Sequence, residues 1–143
     1  MSKLTLVHQD DALRLYWHEQ HEYYLAEWQP VFRKGDDLKR AYQKCLDAAR
    51  ARRGAPWLAD VSKVAVLDRA DQQWISDWFF PEFVRAGVRY QAAVRPEREV
   101  GKMSTANAAA SIAKSRTLEI SVHDTRAEAE AAIVAWRKKH ADD

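Results

Sequence analysis

The sequence predicts an α/β domain, one mixed sheet with helices, occupying residues 1–143 as a single unit. Three observations point there. Strict apolar–polar alternation near the amino terminus reads as half-buried strand, stripes with a helical period follow, and short apolar runs separate those stripes. Repeated strand–helix alternation calls for parallel strands joined by right-handed crossovers. The opening strands extend that sheet at least partly antiparallel.

Leu4–His8 forms a first strand and ends at the turn residues Asp10 and Asp11. From Ala12 to Glu19, Leu13, Leu15 and Trp17 share one face and Arg14, Tyr16 and His18 the other, the period of a pleated strand. His21–Trp28, with Tyr23, Tyr24 and Trp28, pairs with it as a hairpin across Glu19-Gln20. Asp36 and Asp37 cap a helix whose stripe is Leu38, Ala41, Tyr42, Cys45 and Ala49. Gly54 stops that helix and Pro56 follows. Trp57–Val61 is the central strand, apolar and bounded by turn residues.

Ala70–Ala86 carries Trp74, Ile75, Trp78, Phe79, Phe80, Phe83 and Val84 around Pro81. The residue before a proline is pushed away from helical dihedrals. A kink at Phe80, or two short helices with Pro81 opening the second, is therefore expected. Val88–Val94 is a strand with Val88, Tyr90, Ala92 and Val94 on one face. Arg98–Arg116 reads as a helix filled with small residues, mobile because it buries little. Leu118, Ile120 and Val122 alternate with polar residues in a last strand. Thr125 with Glu128 then fits a capping box ahead of the stripe Ala129, Ala132, Ile133 and Trp136.

Composition excludes several function classes. Lys+Arg 23 against Asp+Glu 21 gives a net charge of +2, without the clustered basic excess of a nucleic-acid binder. One cysteine, Cys45, rules out an intrachain disulfide and a cysteine-rich zinc site, and its place on a helical stripe reads as core. No apolar run is long enough to span a bilayer and no secretory leader pattern is visible, so a cytoplasmic protein without stable membrane insertion is expected. The four glycines are scattered, so no phosphate-cradling loop exists, and no nucleophile-elbow or zinc-hydrolase pattern occurs. The expectation is a non-enzymatic protein with no cofactor and no metal.

The run Asp60-Val61-Ser62-Lys63-Val64-Ala65-Val66-Leu67-Asp68 resembles the strand and loop of STAS domains, the sulfate-transporter and anti-sigma-factor-antagonist family. Asp71-Gln72-Gln73-Trp74 ahead of Phe79-Phe80-Pro81, with a longer amino-terminal strand region, is similar to the small bacterial proteins grouped as SpoIIAA-like or STAS/SEC14-like. By element order the resemblance runs from about Leu13 to Trp136. It implies a STAS/SpoIIAA-like topology with extra amino-terminal strands. In the anti-sigma antagonists the residue after the loop aspartate is a serine that a kinase phosphorylates. Here that position is Arg69, followed by Ala70. The resemblance therefore implies the scaffold and its binding loop without that switch.

Two sets of candidate site residues follow. Asp60, Ser62, Asp68 and Arg69 are placed to line a partner- or ligand-binding loop at the carboxyl end of the central strand. The plainer reading is that Asp60 and Ser62 tie the turn while Asp68 or Asp71 caps the next helix. Trp74, Trp78, Phe79, Phe80 and Phe83 cover too wide an arc for one amphipathic face, so some pack in the core and the rest, with Trp74, Trp78, Phe79 and Phe83 as the candidates, form an apolar groove or an interface. His18 and His21, with Glu19 and Glu22, bring metal-ligand types together, but on a strand a spacing of three points side chains to opposite faces unless the turn redirects them.

The reading that results is a regulatory or protein-interaction module of STAS-like type, binding a protein partner or a second copy of itself. The alternative is a carrier or sensor of an apolar, lipid-like small molecule, held against Trp78, Phe79 and Phe83 and roofed by Met103 and Ala106.

Overall fold

The alternating segments build an antiparallel meander. β1 (Leu4–Gln9) pairs with β2 (Leu13–His18), and β2 with β3 (Tyr23–Trp28). Three parallel neighbours continue the sheet: β4 (Trp57–Asp60), β5 (Tyr90–Val94) and β6 (Glu119–His123). The structure is a computed structural model that describes residues 3–30, 36–64, 69–96 and 118–141. Among these, strand order follows chain order across six strands. The expected mixed sheet of an α/β domain is thus present.

That order decides where the helices go. A right-handed crossover between parallel neighbours puts its helix on one face whenever the chain advances in the same direction. Helix α1 (Asp36–Ala51) links β3 to β4, and α2 (Arg69–Trp74) with α3 (Phe80–Arg85) links β4 to β5. Their apolar residues share one cluster with Leu13, Leu15, Trp17, Tyr24 and Trp57. Helix α4 (Arg126–Lys139) follows the last strand and turns back over the opposite face. There Ala129 and Ile133 meet Tyr23, Leu25, Leu58, Tyr90, Ala92 and Val94. The period-two reading of β2 is correct in detail, with Leu13 and Leu15 fully buried and Trp17 at 6% exposure.

The first cluster is threaded by aromatic contacts. Ring centroids lie 4.9 Å apart for Trp17–Tyr24, 4.7 Å for Tyr24–Trp57 and 4.9 Å for Trp57–Phe83. The run continues through Phe83–Phe79 at 4.9 Å, Phe79–Tyr42 at 4.5 Å and Tyr42–Trp28 at 4.5 Å. The Tyr24 hydroxyl donates to the Ala48 carbonyl at 2.8 Å, fastening α1 to the sheet. Such offset and edge-to-face pairs add to the area they bury.

Local expectations are corrected at three places. Phe80 keeps helical dihedrals, φ −64° and ψ −40°. A π-helical turn, Ile75–Phe79, joins α2 to α3, and the Phe80 N–H bonds to the Ile75 carbonyl five residues back. Pro81 falls in the first turn of α3, where its missing N–H is not needed. Two short helices with Pro81 opening the second therefore form without a break. Asp36 and Asp37 lie inside the first turn of α1 rather than ahead of it, still favourable to the helix dipole. Val88 packs with the first cluster, opposite to Tyr90, Ala92 and Val94. The small-residue helix expected at Arg98–Arg116 lies outside the described residues, as do Asp68, Met103 and Ala106.

Gly87 is required by its backbone. Its φ is +102°, and a Cβ there would stand 3.2 Å from Arg53 Cβ and 3.3 Å from the Gly54 nitrogen. Gly54, at φ +86°, has open space around the same position. Gly87→Ala is expected to cost about 2–3 kcal/mol and Gly54→Ala only about 1 kcal/mol, because the first adds two tight contacts to left-handed strain. Urea unfolding of the two variants checks the order; equal losses would remove the contact from the explanation.

Candidate functional site

The carboxyl ends of β3 and β4 lie side by side. Glu27 and Asp60 are register partners, on the face covered by α4. Two carboxylates in adjacent, mostly buried positions need a cation, and Arg126 in the first turn of α4 supplies it. Its Nη2 lies 2.7 Å from Asp60 Oδ2 and 2.6 Å from Glu27 Oε2, and its Nε 3.2 Å from Asp60 Oδ2. Asp60 is 7% exposed. Its other oxygen, Oδ1, accepts the Ser62 backbone N–H at 3.0 Å and the Ser62 hydroxyl at 2.6 Å.

These contacts fix the charge state. Burial alone would raise the Asp60 carboxyl, but the hydrogen bonds from Ser62 and Arg126 outweigh it and hold Asp60 below the ordinary aspartate range. Glu27 is likewise lowered, burial being overcome by Arg126 and by the Gln29 amide. Burial opposes the Arg126 charge, and the two carboxylates more than restore it. Asp60 therefore stays ionised with both oxygens engaged. Its chemistry is that of a tether, setting where the chain turns out of β4 into the loop that begins at Val61.

Helix α4 is held in place to deliver that arginine. Thr125 accepts the Glu128 N–H at 3.2 Å, and the Glu128 carboxylate reaches back to the Asp124 N–H at 3.3 Å. The capping-box expectation holds on the Thr125 side, with the return bond going one residue earlier. Arg95 and Asp124 pair at 3.0 Å beside it.

The sequence-predicted loop residues separate accordingly. Asp60 and Ser62 come together and bond each other. Arg69 begins α2 and is exposed. Asp68 lies outside the described residues. The aromatic set divides as well: Phe79 and Phe83 are 3% and 1% exposed and belong to the core. Trp74 is half-buried, and Trp78 is 39% exposed, stacked on Trp74 at 5.0 Å. Lys39 stands over the Trp74 ring at 5.5 Å. The π-helical turn makes this division, since it rotates Trp78 outward while Ile75 and Phe79 stay inside.

Sequence reasoning missed Arg126 and Glu27. A signal existed: a cation in the first turn of a helix opposes the macrodipole, so its presence there implies a nearby anion.

Two other polar groupings arise from the fold. His18 and His21 stack at 5.1 Å, because the turn between them, closed by the Glu22 N–H donating to the His18 carbonyl at 2.9 Å, brings them to one side. The His21 N–H donates to His18 Nδ1 at 3.1 Å, while His18 Nε2 is 3.8 Å from Glu130, whose carboxylate accepts the Tyr23 hydroxyl. On the other side of α4, Tyr90, Ser121 and His123 form a hydrogen-bond chain, with Ser121 Oγ 2.7 Å from His123 Nε2. Trp136 stacks on Tyr90 at 5.3 Å. Among the described residues no group of three or more His, Cys, Asp or Glu is arranged to hold a metal, and no helix is long and apolar enough to cross a membrane. Burial pushes the Cys45 thiol up, which keeps it protonated and unreactive.

Comparison with family models, curated proteins and solved structures finds no match to this chain.

Proposed function

We propose that the chain is a non-enzymatic regulatory or protein-interaction module of STAS-like type. It engages a protein partner through the Ser62–Arg69 loop and the helix after it, with Arg69 and the Trp74–Trp78 pair as contact residues. The observation that carries this reading is Trp78, a large aromatic 39% exposed on a π-helical turn whose inner residues are locked into the core. Exposed aromatics and arginines are the residue types enriched at protein interfaces, and π-helical turns recur at functional positions. The tether of Ser62 and Asp60 to Arg126 supports it further by giving the loop a rigid root.

Carriage of an apolar molecule is the weaker reading. Phe79 and Phe83, two of the residues it would use, are enclosed by Tyr42 and Trp57. The discriminating experiment replaces Asp77, exposed beside Trp78, with a photo-crosslinking residue in the full chain and irradiates native lysate. Discrete protein adducts are expected, lost when Arg69→Ala and Trp78→Ala are added and absent when the crosslinker replaces Lys138 on α4. Adducts indistinguishable between positions 77 and 138 would overturn the assignment.

A further inference from the structure

β1 is the outermost strand, with β2 as its sheet neighbour among the described residues. Its Leu6 and Val7 are 50% and 47% exposed, more than any other large apolar side chain described. Its sequence, Leu-Thr-Leu-Val-His-Gln, has no Asp, Glu, Lys or Arg in a chain that is 31% charged. Edge strands are ordinarily protected from pairing by lysine, proline, an inward charge or a bulge. β1 has none of the first three within its span and carries one bulge, at Val7.

The bulge opens a register that a regular strand lacks. Leu4 pairs with His18 and Gln9 with Arg14, so Leu4 and Gln9 share one face; Thr5 pairs with Trp17 and His8 with Leu15, so these two share the other. In a regular strand, residues five apart point to opposite faces. The bulge cancels that, and β1 becomes able to pair antiparallel with its own copy about a twofold axis between Leu6 and Val7. Leu4 then faces the partner's Gln9, Thr5 the partner's His8, and Leu6 the partner's Val7. The same register sets Lys3, exposed just before the strand, opposite the partner's Asp10 at both ends. Slipping by one residue would oppose Leu4 to His8 or Thr5 to Gln9, which lie on different faces.

We propose that β1 is a self-pairing edge, and that a second copy of this chain adds to it in that register, joining two six-stranded sheets into one. The occupant follows from chemistry: an open strand edge takes an extended strand, and this one is complementary to itself in face, in its central Leu6–Val7 pair and in the charges at its two ends. An isologous contact closes at two subunits. The surface is separate from Trp78, so its failure leaves the partner-binding reading standing.

Sedimentation equilibrium on the full chain tests it, with two charge variants and one pair of cysteine variants. The wild-type chain is expected at twice its 16.5 kDa mass. Val7→Lys, which seats an ammonium group opposite Leu6, should yield a monomer with an unchanged circular dichroism spectrum. Lys3→Glu, which sets carboxylates together at both ends, should weaken association about tenfold. Mixing a Thr5→Cys chain with a His8→Cys chain should give a disulfide-linked heterodimer, and Thr5→Cys alone none, with Cys45 silent in the core. A monomeric wild-type chain, a dimer indifferent to Val7→Lys, or equal cross-linking of Thr5→Cys with itself would overturn the proposal.

Discussion

Phe83→Ala should lower the unfolding free energy by about 3–5 kcal/mol, and Trp78→Ala by about 1 kcal/mol or less. The two residues sit five apart in one aromatic segment, and composition gives no reason to rank them. Their surroundings do. Phe83 is 1% exposed, with ring centroids of Trp57 and Phe79 each 4.9 Å away. Removing it opens a cavity between rings that are themselves pinned to β4 and to the π-helical turn, so little collapse is available to fill the space. Trp78 pairs with Trp74 alone among the described ring pairs and leaves 39% of its surface exposed. Denaturant unfolding of both variants measures the difference. A loss at Trp78 equal to that at Phe83 would place Trp78 in the core and remove the main support for a binding face there. The expected result makes Trp78→Ala a clean probe of partner binding, because the fold survives it.

The division between these residues marks where the sequence stops being readable. Leu13, Leu15 and Trp17 could be assigned to one face because a strand's side chains alternate whatever else the chain does. The stripe of α4 and its Thr125 cap were legible for the same local reason. Trp74 to Phe83 was not, because the π-helical turn inserts a residue into the helical period and shifts every later side chain around the axis. The pre-proline rule failed at Phe80 because it describes a preference that a hydrogen bond to Ile75 overrides. The stacking of His18 on His21 depends on the turn between them, whose last residue, Glu22, takes a left-handed φ that non-glycine residues rarely adopt and that composition does not announce. At the site, Asp60 with Ser62 was readable because the pair is two residues apart. Arg126 joins them from 66 positions away, and nothing local fixes that meeting. What brings it about is strand order. With the six described strands in chain order, α4 follows the edge strand and returns across the sheet, and its first turn lands over the ends of β3 and β4.

Arg126→Met should cost about 2–3 kcal/mol, equivalent to roughly 5–10 °C in Tm for a domain of this size. Breaking a fully buried ion pair costs more and a surface pair costs almost nothing. The Arg126 side chain is 43% exposed while those of Asp60 and Glu27 are 10% and 15% exposed, which places the loss between the two. Methionine keeps most of the packing, so the loss reports on two carboxylates left facing each other. In an Asp60→Asn background the same substitution should cost about 1–2 kcal/mol less, the signature of direct coupling. The pH dependence has a fixed sign. Asp60 and Glu27 titrate below their ordinary values of 3.8 and 4.5 when folded, so on acidification the unfolded chain takes up protons first. Their stabilisation is complete above those ordinary values and is lost as the pH falls through the folded ones. The gap between wild type and Arg126→Met should therefore be constant near neutrality and shrink below about pH 4.5. His18 supplies a control. Burial lowers it from 6.5, against the opposing pull of Glu130, so both proteins should lose stability together as the pH falls below that value. A gap that persists undiminished to about pH 3 would show that Arg126 stabilises the fold through its packing and not through the carboxylates that root the loop.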